Sequence, residues 1–231
     1  MATSGTTSFN LNIDEIIDEG YERCGLTTNS GYDLKSARRS LNLLFAEWGN
    51  RGIHLWKVAL HENALVSGQA EYSVSAGVND VLEAFVSTTA ASANSVNTQD
   101  VSLTKIDRSA YSALPNKLAL GQPSQYYVDR VTTPKIYLYQ APDLNTYTTL
   151  KYYVIKRIED AGSYTDDPDV VYRFLPCMVA GLAYYLAMKK APQLVQQNKL
   201  IYEDQIKRAL DEDGQRASTY ITPQNFYPNG I

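Results

Sequence analysis

The sequence predicts an α+β fold: a helical bundle from N- and C-terminal helix pairs, an inserted antiparallel β-sandwich or barrel-like module, and an extended C-terminal segment. Three observations predict it. Apolar residues recur at three- and four-residue spacing at both ends of the chain. Between Trp56 and Ile158 they alternate instead, in short runs separated by Gly, Pro and Asn signals. Neither amphipathic helix pair can bury its stripe alone, so the two pairs must pack together across the insertion. The expected organisation is residues 1–55 helical, 56–160 β, 161–214 helical, and 215–231 extended.

The first helix spans Ile13 to Cys24, with Ile13, Ile16, Ile17, Tyr21 and Cys24 on one face. Asn12 is its N-cap and Glu15, three residues on, completes a capping box. Asp14 and Glu15 complement the helix dipole, and Gly25 ends the helix. The second helix is expected to start from an Asp33 cap. Leu34, Ala37, Leu41, Leu44, Phe45 and Trp48 then lie within about 80° of arc, with Lys35, Arg39 and Asn42 opposite. Leu43 points about 180° from Leu34, so another element or another subunit must cover it. Arg38 and Arg39 flank the stripe. With Leu43 they are the subunit-interface candidates, the alternative being a solvated face. Gly49 and Gly52 stop the helix. Trp48, Gly49, Gly52 and Trp56 then form a helix-to-β joint, with His54 inside it.

From Trp56 the pattern is strand-like. Trp56, Val58 and Leu60 alternate, and "ALVSGQAEYSV" reads as a hairpin about Ser-Gly. "DVLEAFVST", "DVSLTKI", "SQYYVDR", "PKIYLYQ" and "YTTLKYYVIKRI" read as strands. "DRSAYSAL" is a short helix capped by Asp107, and "AASANSVNTQ" is an exposed loop. Helices return after "DAGSYTDDPD". The helix around Phe174 to Met188 is apolar on most of its circumference, hence central, with Ala180, Ala183 and Ala187 as a small-residue face. Pro176 fits only near its start, and Pro192 closes it. The last helix, Gln193 to Asp213, is mostly polar and is expected outside the bundle. Its narrow stripe is Val195, Tyr202, Ile206 and Ala209, and it offers Glu203–Lys207 and Asp204–Arg208 pairs.

Residues with catalytic or metal-binding potential are few. His54 and His61 are not at a metal-ligand spacing. No nucleophile elbow or phosphate loop occurs. Cys24 and Cys177 fall in core stripes, as reduced thiols. Asp166, Asp167 and Asp169 suit a turn and helix cap better than a Ca²⁺ site. The expectation is a non-enzyme without cofactor. Net charge is −4 and no Lys/Arg block is long, which argues against a dedicated DNA binder. No stretch reads as a signal peptide or a membrane span, so a soluble protein, intracellular when made, is expected. Tyrosine is abundant, 18 against 5 Phe and 2 Trp. That reads equally as β-propensity or as interface area. The C-terminal "GQRASTYITPQNFYPNGI" combines prolines with aromatic anchors, a pattern suited to binding a partner's groove in extended form.

"GYDLKSARRSLNLLFAEWGNRGIHLWKV" and "YRFLPCMVAGLAYYLAMKKAP" resemble the paired helical signatures of phage head-to-tail adaptors, the tail tubular A or tail accessory proteins of short-tailed phages. "FNLNIDEIIDEGYERCG", "LVSGQAEYSV", "PNKLALGQPSQYYVDR" and "IKRIEDAG" extend the resemblance in order along most of the chain. The loop from Thr88 to Gln99 and the segment after Arg216 match least. The resemblance implies a virion protein at the head-tail junction, forming a ring, usually of twelve copies, beneath the portal protein. The helices would form the ring body and the β module would face tail nozzle or fibre proteins. The C-terminal segment would reach along the portal, with Tyr220, Phe226, Tyr227 and Ile231 as anchors. Genomic DNA would pass through without specific binding. The alternative, motivated by the tyrosine-rich β region, is a carbohydrate-binding or cell-wall-cleaving tail module.

Overall fold

The structure, a computed structural model, describes residues 3–28, 30–53, 55–88 and 99–213. It is α+β, and its elements divide between two hydrophobic cores.

Helix α1 (Ile13–Glu22) has the expected capping box: the Asn12 side chain accepts from the Glu15 amide at 2.9 Å, and the Glu15 carboxylate accepts from the Asn12 amide at 3.1 Å. Helix α2 (Gly31–Asn50) starts earlier than an Asp33 cap would allow. Ser30 is the N-cap and its hydroxyl accepts from the Asp33 amide. Asp33 is instead buried in the first turn, its carboxylate held by Lys190. At the other end Gly49 stays helical. Gly52 terminates the helix, with φ +78° and the Ile53 amide donating back to the Trp48 carbonyl at 3.0 Å. A Cβ is strained in that left-handed conformation, which is why glycine stands there.

A 3₁₀ turn, Leu55–Lys57, precedes β1 (Val58–Ala64), so Trp56 is not the first strand residue. Its ring lies against Phe174 of the helical core instead, and the alternation starts at Val58. The strands β2 (Glu71–Ser73), β3 (Val78–Ser87), β4 (Asp100–Ser102) and β5 (Thr104–Lys105) follow, then α3 (Arg108–Ala113) with its Asp107 cap. The last strands are β6 (Leu120–Gly121), β7 (Gln125–Asp129), β8 (Lys135–Tyr139), β9 (Ala141–Pro142) and β10 (Thr149–Lys156). They form sheets of order β1-β10-β3-β4, β2-β8-β7-β5 and β6-β9. Pairing is antiparallel except in the short pairs β5–β7 and β6–β9.

The expected Ser-Gly hairpin is absent: β1 pairs with β10 and β2 pairs with β8, so the turn carries the chain from one sheet to the other. Burial explains the crossing. Leu65 and Tyr72 are both core residues, and the Tyr72 hydroxyl accepts from the Val66 amide at 3.0 Å, folding the turn inward. "DVSLTKI" is divided in the same way between β4 and β5, with buried Leu103 at the crossing. The two larger sheets share one core, to which Val81, Val86, Leu150 and Val154 come from one and Tyr72, Tyr126, Ile136 and Leu138 from the other.

The second core joins α1 and α2 to α4 (Leu175–Lys190) and α5 (Val195–Asp213). Helix α4 is buried nearly all round. At Gly181 a Cβ would stand 2.8 Å from Leu44 Cδ2 and 2.9 Å from Tyr202 Cε2, so glycine permits the close approach of three helices. Helix α5 is not outside the bundle. Of its expected stripe Tyr202, Ile206 and Ala209 are buried and Val195 is partly buried, and the polar Asn198 is buried beside them.

Candidate functional site

The described residues hold no constellation suited to covalent or acid–base chemistry. Burial raises the Cys24 thiol and pushes that of Cys177 up to about 12, which leaves both as poor nucleophiles. His61 lies 3.3 Å from the Ser75 hydroxyl, and burial, then Lys156, lowers its pKa. Among the described residues no group of three His, Cys, Asp or Glu is placed to hold a metal ion, and no helix is long and apolar enough to cross a membrane.

The best-built polar region is the joint between the two cores. Trp48 is fully buried, tilted against Phe45 and Phe174 at 6.0 and 5.7 Å, and its indole donates to the Tyr202 hydroxyl at 3.0 Å. Trp56 lies tilted against the same Phe174 at 4.9 Å and donates to the Asp169 carbonyl at 3.2 Å. Asp169 also accepts from the Glu159 amide at 3.0 Å, and its carboxylate pairs with Lys57, whose side chain is 11% exposed. The chain leaves the helical core through 55–57 and returns through 157–171, and Asp169 ties the two crossings together. Of the acidic cluster "YTDDPD", Asp169 serves this tie, and Asp166 accepts from the Ser163 amide while its carbonyl accepts from that of Ile13.

One turn away, Arg51 forks onto Glu203 at 3.0 and 3.2 Å, reaches Glu47 at 2.6 Å and lies over the Tyr202 ring at 5.5 Å. Glu47 accepts from the Tyr185 hydroxyl at 3.0 Å. The hydrogen bond from Arg51 holds Glu203 below its ordinary carboxylate pKa. This network joins α2, α4 and α5. It takes Glu203 away from the i,i+4 partner Lys207, whereas Asp204–Arg208 forms as expected at 2.7 Å. Helical spacing reports only neighbours on one helix, and Arg51 lies far away in sequence.

Leu43 is 55% exposed on the outer face of α2, and Arg39 is exposed beside it. Arg38 is engaged within the chain, donating to the Gly162 carbonyl at 3.0 Å and lying over the Tyr164 ring. Asn42 turns inward from the polar side and accepts from the Ala161 amide at 2.7 Å. His54 and the proposed anchors Tyr220, Phe226, Tyr227 and Ile231 lie outside the described residues.

On the β part, Tyr111, Tyr127 and Tyr137 pack on one another, with Tyr127 5.6 Å from Tyr111 and 5.9 Å from Tyr137. The opposite sheet exposes Leu60 and Tyr153 on paired positions, beside Leu82 and a half-buried Phe85. Such an apolar sheet face suits a protein partner.

A further opening, which the pattern of the sequence did not single out, lies between α1 and the start of α4. The signal available was the acidic face of α1, Glu15, Glu19 and Glu22 at helical spacing above an apolar neighbour.

A family model described as SU10 adaptor protein matches residues 17–225. A comparison with curated proteins found none that matches.

Proposed function

The chain belongs to the SU10 adaptor protein family, structural proteins of the phage head-to-tail junction, and from that premise we propose that it forms a ring beneath the portal, joins it to the tail nozzle and lines the DNA exit channel. The observation that carries the reading is the family match across both helical parts and the β part. Residues 1–55 and 161–214 form the ring body in this reading, and residues 56–160 face the nozzle or fibres. Residues 215–231 lie along the portal, anchored by Tyr220, Phe226, Tyr227 and Ile231.

Three features support it. The outer face of α2 leaves Leu43 and Arg39 available to a neighbouring copy. The apolar strip at Leu60 and Tyr153 is a surface for a second protein. A net charge of −4 lets DNA pass without the counterion-releasing grip of a basic channel.

Purified protein mixed with its portal and imaged should give a ring of adaptor copies on the portal, and no complex under any condition would overturn the reading. Truncation after Arg216 should abolish portal binding while the circular dichroism spectrum and melting temperature stay unchanged. Normal portal binding by the truncated chain would remove the anchoring role.

A further inference from the structure

Helix α2 turns one stripe outward: Tyr32, Lys35, Arg39, Leu43, Ala46 and Asn50 are all exposed, at three- and four-residue spacing. Its only charges are the two cations, and neither has an ion-pair partner among the described residues. Lys189 lies close by, donating to the Ser36 and Ser40 hydroxyls at 3.0 and 2.6 Å, and adds a third positive charge. The opening between α1 and α4 is an unlike surface, a groove of about 590 Å³. Leu11, Leu175, Pro176 and Val179 give it an apolar floor, and Phe9 and Tyr172 stand at its mouth, 64% and 71% exposed. Its charges are Glu15, Asp18, Glu19 and Glu22 against Arg23 and Arg173, and Arg23 is spent on Glu19 at 2.8 Å. The groove is therefore acidic on balance and the stripe is cationic, and each carries exposed apolar or aromatic side chains of the kind a partner covers.

The two surfaces lie on different flanks of α4. The groove sits over Leu175, Pro176 and Val179, whereas α2 takes Gly181, Tyr185 and Lys189. At 100° per residue the two sets are centred about 130° apart around α4. Two unlike patches on opposed flanks let each copy grip the next in one sense, the head-to-tail geometry that closes a ring. A two-fold contact through α2 would instead set cations against cations.

The order of side chains along the helices also matches. Helix α2 runs antiparallel to α4, with Leu44 at Gly181 and Ser36 and Ser40 at Lys189. Helix α1 runs parallel to α4, from Leu11 in the groove with Leu175 to Tyr21 under Lys190. A neighbour's α2 laid antiparallel to α1, as the two already run within one copy, puts Leu43 on the floor. Arg39 and Lys35 then fall about 6 and 12 Å further along α1, where Asp18, Glu19 and Glu22 stand.

We propose that the α1–α4 groove receives the outer stripe of α2 from a second copy of this chain, with Leu43 on the floor and Arg39 and Lys35 against the carboxylates of α1. This contact rests on the ring reading above and assigns the two faces through which neighbours in the ring meet.

The test uses the full chain without portal. Leu43→Cys and Tyr172→Cys, both at exposed positions, are made separately, and the native chain, whose Cys24 and Cys177 are buried, gives the background. A short bismaleimide should link the two variants into a dimer when they are mixed, and either variant alone at least tenfold less. A chain carrying both substitutions should give a ladder of higher oligomers. Lys35→Glu with Arg39→Glu on the Leu43→Cys chain should cut linking at least tenfold, and Asp18→Lys with Glu22→Lys on the Tyr172→Cys chain should restore it. No link in the mixture, efficient linking of Leu43→Cys to itself, or indifference to the charge reversal would overturn the proposal. A ring imaged on the portal beside any of these failures leaves the ring reading standing with other faces, and failure to bind portal leaves the cross-linking result standing.

Discussion

Tyr202 fills the space that Gly181 leaves and accepts the hydrogen bond of the buried Trp48 indole. Replacing it with Phe keeps the ring and removes the acceptor. Tyr202→Phe should therefore cost about 1–3 kcal/mol in urea unfolding, the penalty of a buried donor left unsatisfied. Two glycines on facing helices separate space from conformation. Gly181→Ala drives a methyl into Leu44 and Tyr202 and should destabilise by about 1–3 kcal/mol. Gly49→Ala meets nothing within 4 Å at a helical position and should stabilise by about 0.5–1 kcal/mol. Thermal melts of the two variants should move in opposite directions. Glu203 gives the pH-dependent case. Its folded pKa lies below the ordinary value of 4.5, so its stabilisation is fully present above pH 4.5 and is lost as pH falls through the lowered folded value. The stability gap between the native protein and Glu203→Gln should be constant near neutral pH and close on acidification. A gap unchanged down to the acid limit would deny the Arg51 pairing its role. The individual apolar residues of these stripes were legible in the sequence, since periodicity alone places Trp48 and Tyr202 inward. Their mutual hydrogen bond was not, because two helices far apart in the chain meet there.

Helices and strands were legible to different degrees, and for a physical reason. A helix writes its buried face within its own sequence, so α1, α2 and α4 could be placed from spacing and caps. Even there the start of α2 was misread, because Ser30 and Asp33 are both good caps and only the burial of Asp33 against Lys190 decides between them. A strand writes its two faces but not its partner. Every long strand was found, yet the Ser-Gly turn after β1 joins two sheets rather than two neighbours. The polarity of α5 suggested a peripheral helix, whereas four residues at helical spacing suffice to bury one side of it. Of the two glycines expected to stop α2, Gly52 terminates it and Gly49 stays helical, while Asp169, within a run that suggested a turn or cap, ties the crossings. Asp169→Ala should leave Lys57 without its counter-charge and cost about 1–3 kcal/mol, measured by chemical denaturation. Asp167→Ala, two residues away and exposed, should fall within about 0.5 kcal/mol of the native protein.

At the scale of the whole molecule, the two cores answer different demands. The helical core is continuous across α1, α2, α4 and α5, and the Arg51 network ties α2, α4 and α5 together. The β core is built from two sheets whose outer faces keep apolar and aromatic residues partly open. Helices α1 and α5 both belong to the helical side, and among the described residues the β part is reached through the paired crossings at 55–57 and 157–171. Mechanically this is a double-shear pin. A pull on the β part loads both crossings in parallel, across the Lys57–Asp169 clasp and the Trp56–Phe174 contact.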